Sequence, residues 1–188
     1  HPLEATIFVG DQRYSDRLDD TTVEGYEAWL DRLDSTRENL NEINVESLTE
    51  VERLDREILL AAIEERLQAH RFGDHLVALS PLERYTADLH FADLHLLMAQ
   101  LGEFQPSWTR GDVENYLHRL KGFPSLVEGV IGTLKQGIEA HRLAPRGVMP
   151  KVVSQLRSLS SSKPEESPLW RFASRLPADW PETELQTI

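Results

Sequence analysis

The 188-residue chain contains no cysteine. That single absence removes disulfide frameworks, thiolate zinc sites, iron–sulfur clusters and cysteine nucleophiles together. Long apolar runs are missing as well. The longest, Ile58 to Ile63, has a glutamate on either side and falls far short of the roughly 20 residues of a membrane span. Basic charge is scarce: 20 Lys+Arg stand against 32 Asp+Glu, a net charge of -12. Nucleic-acid binding depends on Lys and Arg releasing counterions from phosphates, and docking on an anionic membrane has the same need, so neither is expected. Nowhere do apolar and polar residues alternate strictly between turn signals, which leaves no candidate strand.

What is present is helical periodicity almost throughout. Residues 1–21 read as an irregular acidic segment with Asp11, Asp16, Asp19 and Asp20. Thr21-x-x-Glu24 has the spacing of a capping box, and Tyr26, Trp29, Leu30, Leu33 and Leu40 then recur on one face. Ser47-x-x-Glu50 is a second such start, with Val51, Leu54, Ile58, Ala62 and Leu67 inward and Gly73 as the stop. Ser80-Pro81-x-Glu83 opens a third helix, apolar on two sides and therefore central. Thr109-x-x-Asp112 opens a fourth, which Phe123-Pro124 is expected to break. A further helix is expected to bury Val127, Val130, Ile131, Leu134 and Ile138, with Gly129, Gly132 and Gly137 serving close packing. Short helices around Val152–Leu159 and Trp170–Phe172 complete an all-α chain of about seven helices. The expected divisions are 1–21, a helical core over 22–159, and a flexible linker with short terminal helices over 160–188.

No constellation supplies complete chemistry. His90 and His95 are five residues apart, about 140° around a helix, and so cannot share a face. Adding Asp93 to His90 gives two ligands, too few for a catalytic zinc. Gly132-x-x-x-x-Gly137 is followed by Ile138-Glu139, where a phosphate loop needs Lys and Ser or Thr. The four early aspartates lack calcium-loop spacing and read as solvated loop acids or interdomain contacts. Trp29, Trp108, Trp170 and Trp180 read as packing anchors. Catalytic, cofactor-binding and metal residues are therefore all assigned as none.

Charge is unevenly placed. Residues 1–80 hold 19 acids and 8 bases, whereas 81–188 hold 13 and 12. From Ala140 to Lys163 there is no acid, but Arg142, Arg146, Lys151, Arg157 and Lys163 occur. This basic stretch reads first as one solvated face of the fold, and alternatively as a lining for an anionic ligand or an acidic domain. The ending Glu184–Ile188 lacks a helix-stopping glycine and reads as a chain cut mid-element.

Several short motifs carry a resemblance. They are Pro2-Leu3-Glu4-Ala5-Thr6 with Gly10-Asp11 and Tyr14-x-Asp16, then Leu54-Asp55-Arg56-Glu57, then Tyr116-Leu117-x-Arg119-Leu120 running into Phe123-Pro124. Gly137 and Pro145-Arg146-x-Val148, with Val152 and Gln155-Leu156, extend it. Together they resemble the N-terminal part of bacterial domain-of-unknown-function family 885. The resemblance implies a mostly helical protein of several hundred residues. Its C-terminal part would carry H-E-x-x-P-G-H, a zinc-peptidase-like helix signature. The seven histidines here, at 1, 70, 75, 90, 95, 118 and 141, include no His-Glu pair, so no metal or catalytic residue carries over, and zinc is expected only in that C-terminal part. The implied partners are the catalytic half and a peptide substrate. His141 stands where the family pattern expects glycine, and Pro150 adds a proline where its helix would already run. The alternative is a free-standing helical protein-binding module.

Overall fold

The structure is a computed structural model describing residues 2–77, 79, 100–161, 163–178 and 180. The expected helix from Ser80-Pro81, with His90, Asp93 and His95, lies outside the described residues. Among those described, every regular element is helical and there is no strand, as the periodicity requires. A short turn, α1 (Pro2–Glu4), leads into a loop of tight turns. Then come α2 (Val23–Glu42), α3 (Glu50–Phe72), α4 (Arg110–Glu139) and α5 (Met149–Ser161), followed by a 3-10 stretch at Pro168–Arg175.

Two helix starts differ from the expected ones by one or two residues. The cap of α2 is Thr22, whose hydroxyl accepts from the Gly25 N–H. Thr21 is buried instead and donates to the Leu126 carbonyl at 2.7 Å. The reciprocal box of α3 is Thr49 with Glu52, because Asn44 draws Val45–Ser47 into a 3-10 turn and takes Ser47 out of play. Glu52 accepts from the Thr49 N–H at 2.8 Å, which holds its carboxyl below its usual range. The Thr109–Asp112 box forms as expected. So does the stop at Gly73, which caps α3 in the left-handed conformation at φ 74°.

Pro124 does not break the chain: α4 runs through it for 30 residues. A mid-helix proline costs about 3 kcal/mol. Here Val113 and Tyr116 before it, and Leu126 and Val130 after it, lie in one buried cluster, and that shared burial outweighs the lost hydrogen bond.

The buried face of α4 is also rotated from the expected one. Leu126, Gly129, Val130, Thr133 and Gly137 are inward, while Val127, Ile131 and Ile138 are exposed. Glycine decides this. A Cβ on Gly129 would stand 2.4 Å from the Thr21 hydroxyl, and one on Gly137 would stand 2.5 Å from the Leu76 carbonyl. At those two points the backbones touch, as close packing predicts. Gly132 faces open space, so close packing does not explain that glycine.

The core gathers Leu3, Tyr26, Leu101, Val113, Tyr116, Leu126, Val130 and Phe172. Phe172 comes from the short terminal helix expected around Trp170–Phe172, within the 160–188 segment. Its ring stacks on Tyr116 at 4.1 Å, and the Tyr116 hydroxyl donates to the Leu169 carbonyl at 2.6 Å. Part of that stretch therefore packs as core. Trp29 and Trp180 pack against the cluster as anchors, but Trp108 is 75% exposed and Trp170 is half exposed.

α2 and α3 form an antiparallel hairpin joined at residues 43–49. Arg37 faces Glu64, and Arg56 donates to the Leu40 carbonyl. Only Ile63 and Leu67 of α3 are buried, near the root of the hairpin. Val51, Leu54 and Ile58, expected inward, are exposed at 68%, 57% and 58%. At 100° per residue these three fall within about 60° of one another, and about 170° from the Arg56–Leu60–Ile63 side. They form a second apolar stripe that nothing among the described residues covers.

Candidate functional site

Two clusters of polar side chains stand out at the root of the bundle. The first centres on Arg119, which has no solvent exposure. Its guanidinium donates Nε–H to the Arg17 carbonyl at 3.0 Å, Nη1–H to Gln105 Oε1, and Nη2–H to both Thr6 Oγ1 (2.8 Å) and the Tyr14 carbonyl (3.0 Å). Gln105 in turn donates to the Ser15 carbonyl at 3.1 Å. Burial pulls the Arg119 pKa down to about 10, with Asp19 and Asp16 pulling the other way, so it is charged at neutral pH. Asp19 is not a solvated loop acid: burial raises its pKa, against the pull of Arg119.

Sequence periodicity alone misses Arg119, because it sits in an apolar helical pattern and reads as one polar interruption. Three of its four acceptors come from a loop about a hundred residues away, and the fourth is Gln105, 14 residues before it. That loop is shaped locally. Asp11 caps the Gln12–Tyr14 turn and holds Arg13 by Nε–H (2.9 Å) and Nη2–H (2.6 Å), which keeps its carboxyl below its usual range. With four of its five N–H groups donating to protein acceptors and no exposed surface, Arg119 latches the Thr6–Arg17 loop onto α4 and has no exposed face to offer a ligand.

The second cluster is a stack of rings where α2, the end of α3 and the turn Asp74–Leu76 meet. Tyr26 stacks on His75 at 4.6 Å, His75 on His70 at 4.8 Å, and Tyr26 lies 5.5 Å from Trp29. Neither His70 Nδ1 nor His75 Nδ1 has a hydrogen-bond partner among the described residues. Burial, and then the neighbouring His70, bring the His75 pKa down to about 4, opposed by Asp74. His75 is therefore neutral at physiological pH. The stack offers imidazole nitrogens but no third ligand, and parallel rings do not converge on a metal. No group of three His, Cys, Asp or Glu among the described residues is placed to hold a metal ion. The described residues do not fit a zinc site.

The pattern of a family described as bacterial protein of unknown function, DUF885, matches residues 2–187. The chain is a DUF885 protein. No curated protein and no solved structure matches it. Among the motifs that carry the DUF885 resemblance, Arg119 of Tyr116–Leu120 joins Tyr14-x-Asp16 in space through the Tyr14 carbonyl and Pro2–Thr6 through the Thr6 hydroxyl. Gly137 is likewise a joint, against Leu76. In this DUF885 chain those motif residues are points where the fold interlocks. His141, where glycine is expected, has φ 57° and is the only non-glycine at positive φ among the described residues. The Arg142 N–H reaches back to the Gly137 carbonyl at 2.8 Å across it. The backbone there keeps the left-handed turn that glycine would take most easily.

No helix among the described residues is long and apolar enough to cross a membrane.

Proposed function

We propose that this DUF885 chain is a non-catalytic helical wall over the catalytic half of a longer, zinc-peptidase-like protein. The observation that carries the reading is the unpartnered stripe Val51–Leu54–Ile58 on α3, on the side of the helix away from α2. Burying such side chains is worth roughly 1.5–3 kcal/mol each, so a stripe of three on a well-capped helix suits a docking face. The exposed Val127, Ile131 and Ile138 on α4 add a second apolar face. Family membership supports the same reading, since the resemblance places H-E-x-x-P-G-H in a C-terminal part. On this reading the wall excludes water and positions a peptide, and the catalytic half performs the hydrolysis.

The test is the coding sequence downstream of Ile188 together with metal analysis. The reading expects H-E-x-x-P-G-H downstream, one zinc per longer protein and none on residues 1–188. A full-length gene without that motif, or stoichiometric zinc on this chain alone, would contradict it.

The second reading, a free-standing helical binding module, is favoured by the Arg119 network, which closes a core using this chain alone. It expects a compact monomer that resists proteolysis. The wall reading expects self-association through the apolar stripes or rapid cleavage of the α2–α3 hairpin.

A further inference from the structure

The acid-free stretch from Ala140 to Lys163 becomes the turn into α5 and α5 itself. Val152 is fully buried. On another side lies an open groove of about 460 Å³, lined by Arg146, Met149, Pro150, Val153, Ser154 and Arg157. Their spacing of three and four residues puts them on one helical face. The floor is apolar (Met149, Pro150 and Val153) with an arginine near each end. Arg157 lies eight residues, about 12 Å, beyond Met149 along the helix, and Arg146 stands in the preceding turn.

None of the ion pairs among the described residues uses Arg146 or Arg157, and no acid occurs in this stretch to neutralise them. Elsewhere the chain is strongly acidic. The two guanidiniums are thus positive points on a negative molecule, each a planar fork suited to a carboxylate. A single small anion cannot span an apolar floor of this length. A nucleic acid brings a polyanionic backbone into the field of a chain with net charge -12, and none of the groove's described lining residues is an aromatic platform for bases. An extended peptide rises about 3.3 Å per residue. Four to six residues therefore bring acidic ends to both arginines and apolar side chains to the floor.

We propose that this face of α5 binds a short extended peptide with acidic residues at both ends and apolar residues between them. The proposal goes beyond the wall reading and does not depend on it, because binding is measured without zinc, cleavage or a catalytic half.

The probe is a fluorescein-labelled hexapeptide with glutamate at each end and leucine and alanine between, titrated with the 188-residue chain at low ionic strength. Its counterpart carries lysine at each end. The glutamate-ended peptide should bind and the lysine-ended one should not. Arg146→Glu combined with Arg157→Glu should lower affinity for the first by at least about tenfold and raise it for the second. Both arginines are exposed, so the fold should survive. If the circular dichroism spectrum of the reversed variant shows lost helix, the Ala pair at the same positions replaces it and should lose the same tenfold. Equal binding of the two peptides, or affinity unchanged in both variants, overturns the proposal. Displacement of the peptide by millimolar inorganic phosphate would make this a general anion site, and tighter binding of a single-stranded oligonucleotide would make it a nucleic-acid site. Either result also overturns it.

Discussion

Arg119 donates to the Thr6 hydroxyl across 113 residues of sequence. That bond and those to the Tyr14 and Arg17 carbonyls hold the N-terminal segment against α4, and a fourth goes to Gln105, which itself donates to the Ser15 carbonyl. Arg119→Met should therefore leave Gln105, Thr6 and two carbonyls short of donors in a buried site, destabilising the chain by about 3–5 kcal/mol in urea titration. Arg119→Lys, which keeps the charge but not the fork, should fall between. In both variants proteolysis within residues 2–20 should accelerate first.

The histidine stack should make the fold acid-sensitive. His75 titrates at about 4 in the folded chain against 6.5 for an ordinary histidine. Between those values the unfolded chain binds more protons, so stability is complete above 6.5 and is lost as pH falls towards 4. His70, Asp74 and Tyr26 are the groups facing it, and Asp74 moderates the effect. Urea midpoints at pH 7 and pH 5 should fall further for the wild type than for His75→Phe, which keeps the stacked ring without the titration.

His141→Gly should stabilise the chain by about 1 kcal/mol, because the left-handed turn at φ 57° strains any side chain. In a chain of this size that is a rise in Tm of roughly 2–4 °C. His141→Val, with a branched Cβ, should lower Tm instead.

The α4 glycines should separate cleanly. Gly129→Ala and Gly137→Ala push a Cβ into Thr21 and the Leu76 carbonyl and should each cost about 1–3 kcal/mol. Gly132→Ala meets open space and should stabilise by roughly 0.5–1 kcal/mol. Thermal denaturation of the three variants side by side measures the contrast.

Legibility follows the range of the interactions. The Thr109–Asp112 box and the Gly73 stop depend on residues within one turn, and both are read directly from sequence. Ser47/Glu50 and Thr49/Glu52 satisfy the same capping pattern, and only the turn set by Asn44 selects the second. Periodicity finds apolar stripes on α3 and α4 but cannot say which stripe meets the core. On α4 the choice lies with Gly129 and Gly137, through Thr21 and Leu76 far away in the chain. Arg119 was visible as a motif residue, while its acceptors in the Thr6–Arg17 loop were not.

On the wall reading, the outer stripe of α3 is a docking face. Because the chain has no cysteine, Leu54→Cys gives a single thiol on that stripe. Its labelling rate should be compared between the 188-residue chain and the longer protein, the latter cleared of any other cysteine. If the catalytic half covers α3, labelling should slow by at least about tenfold in the longer protein, as for a residue opening only by local unfolding. Equal rates in the two proteins would contradict the account.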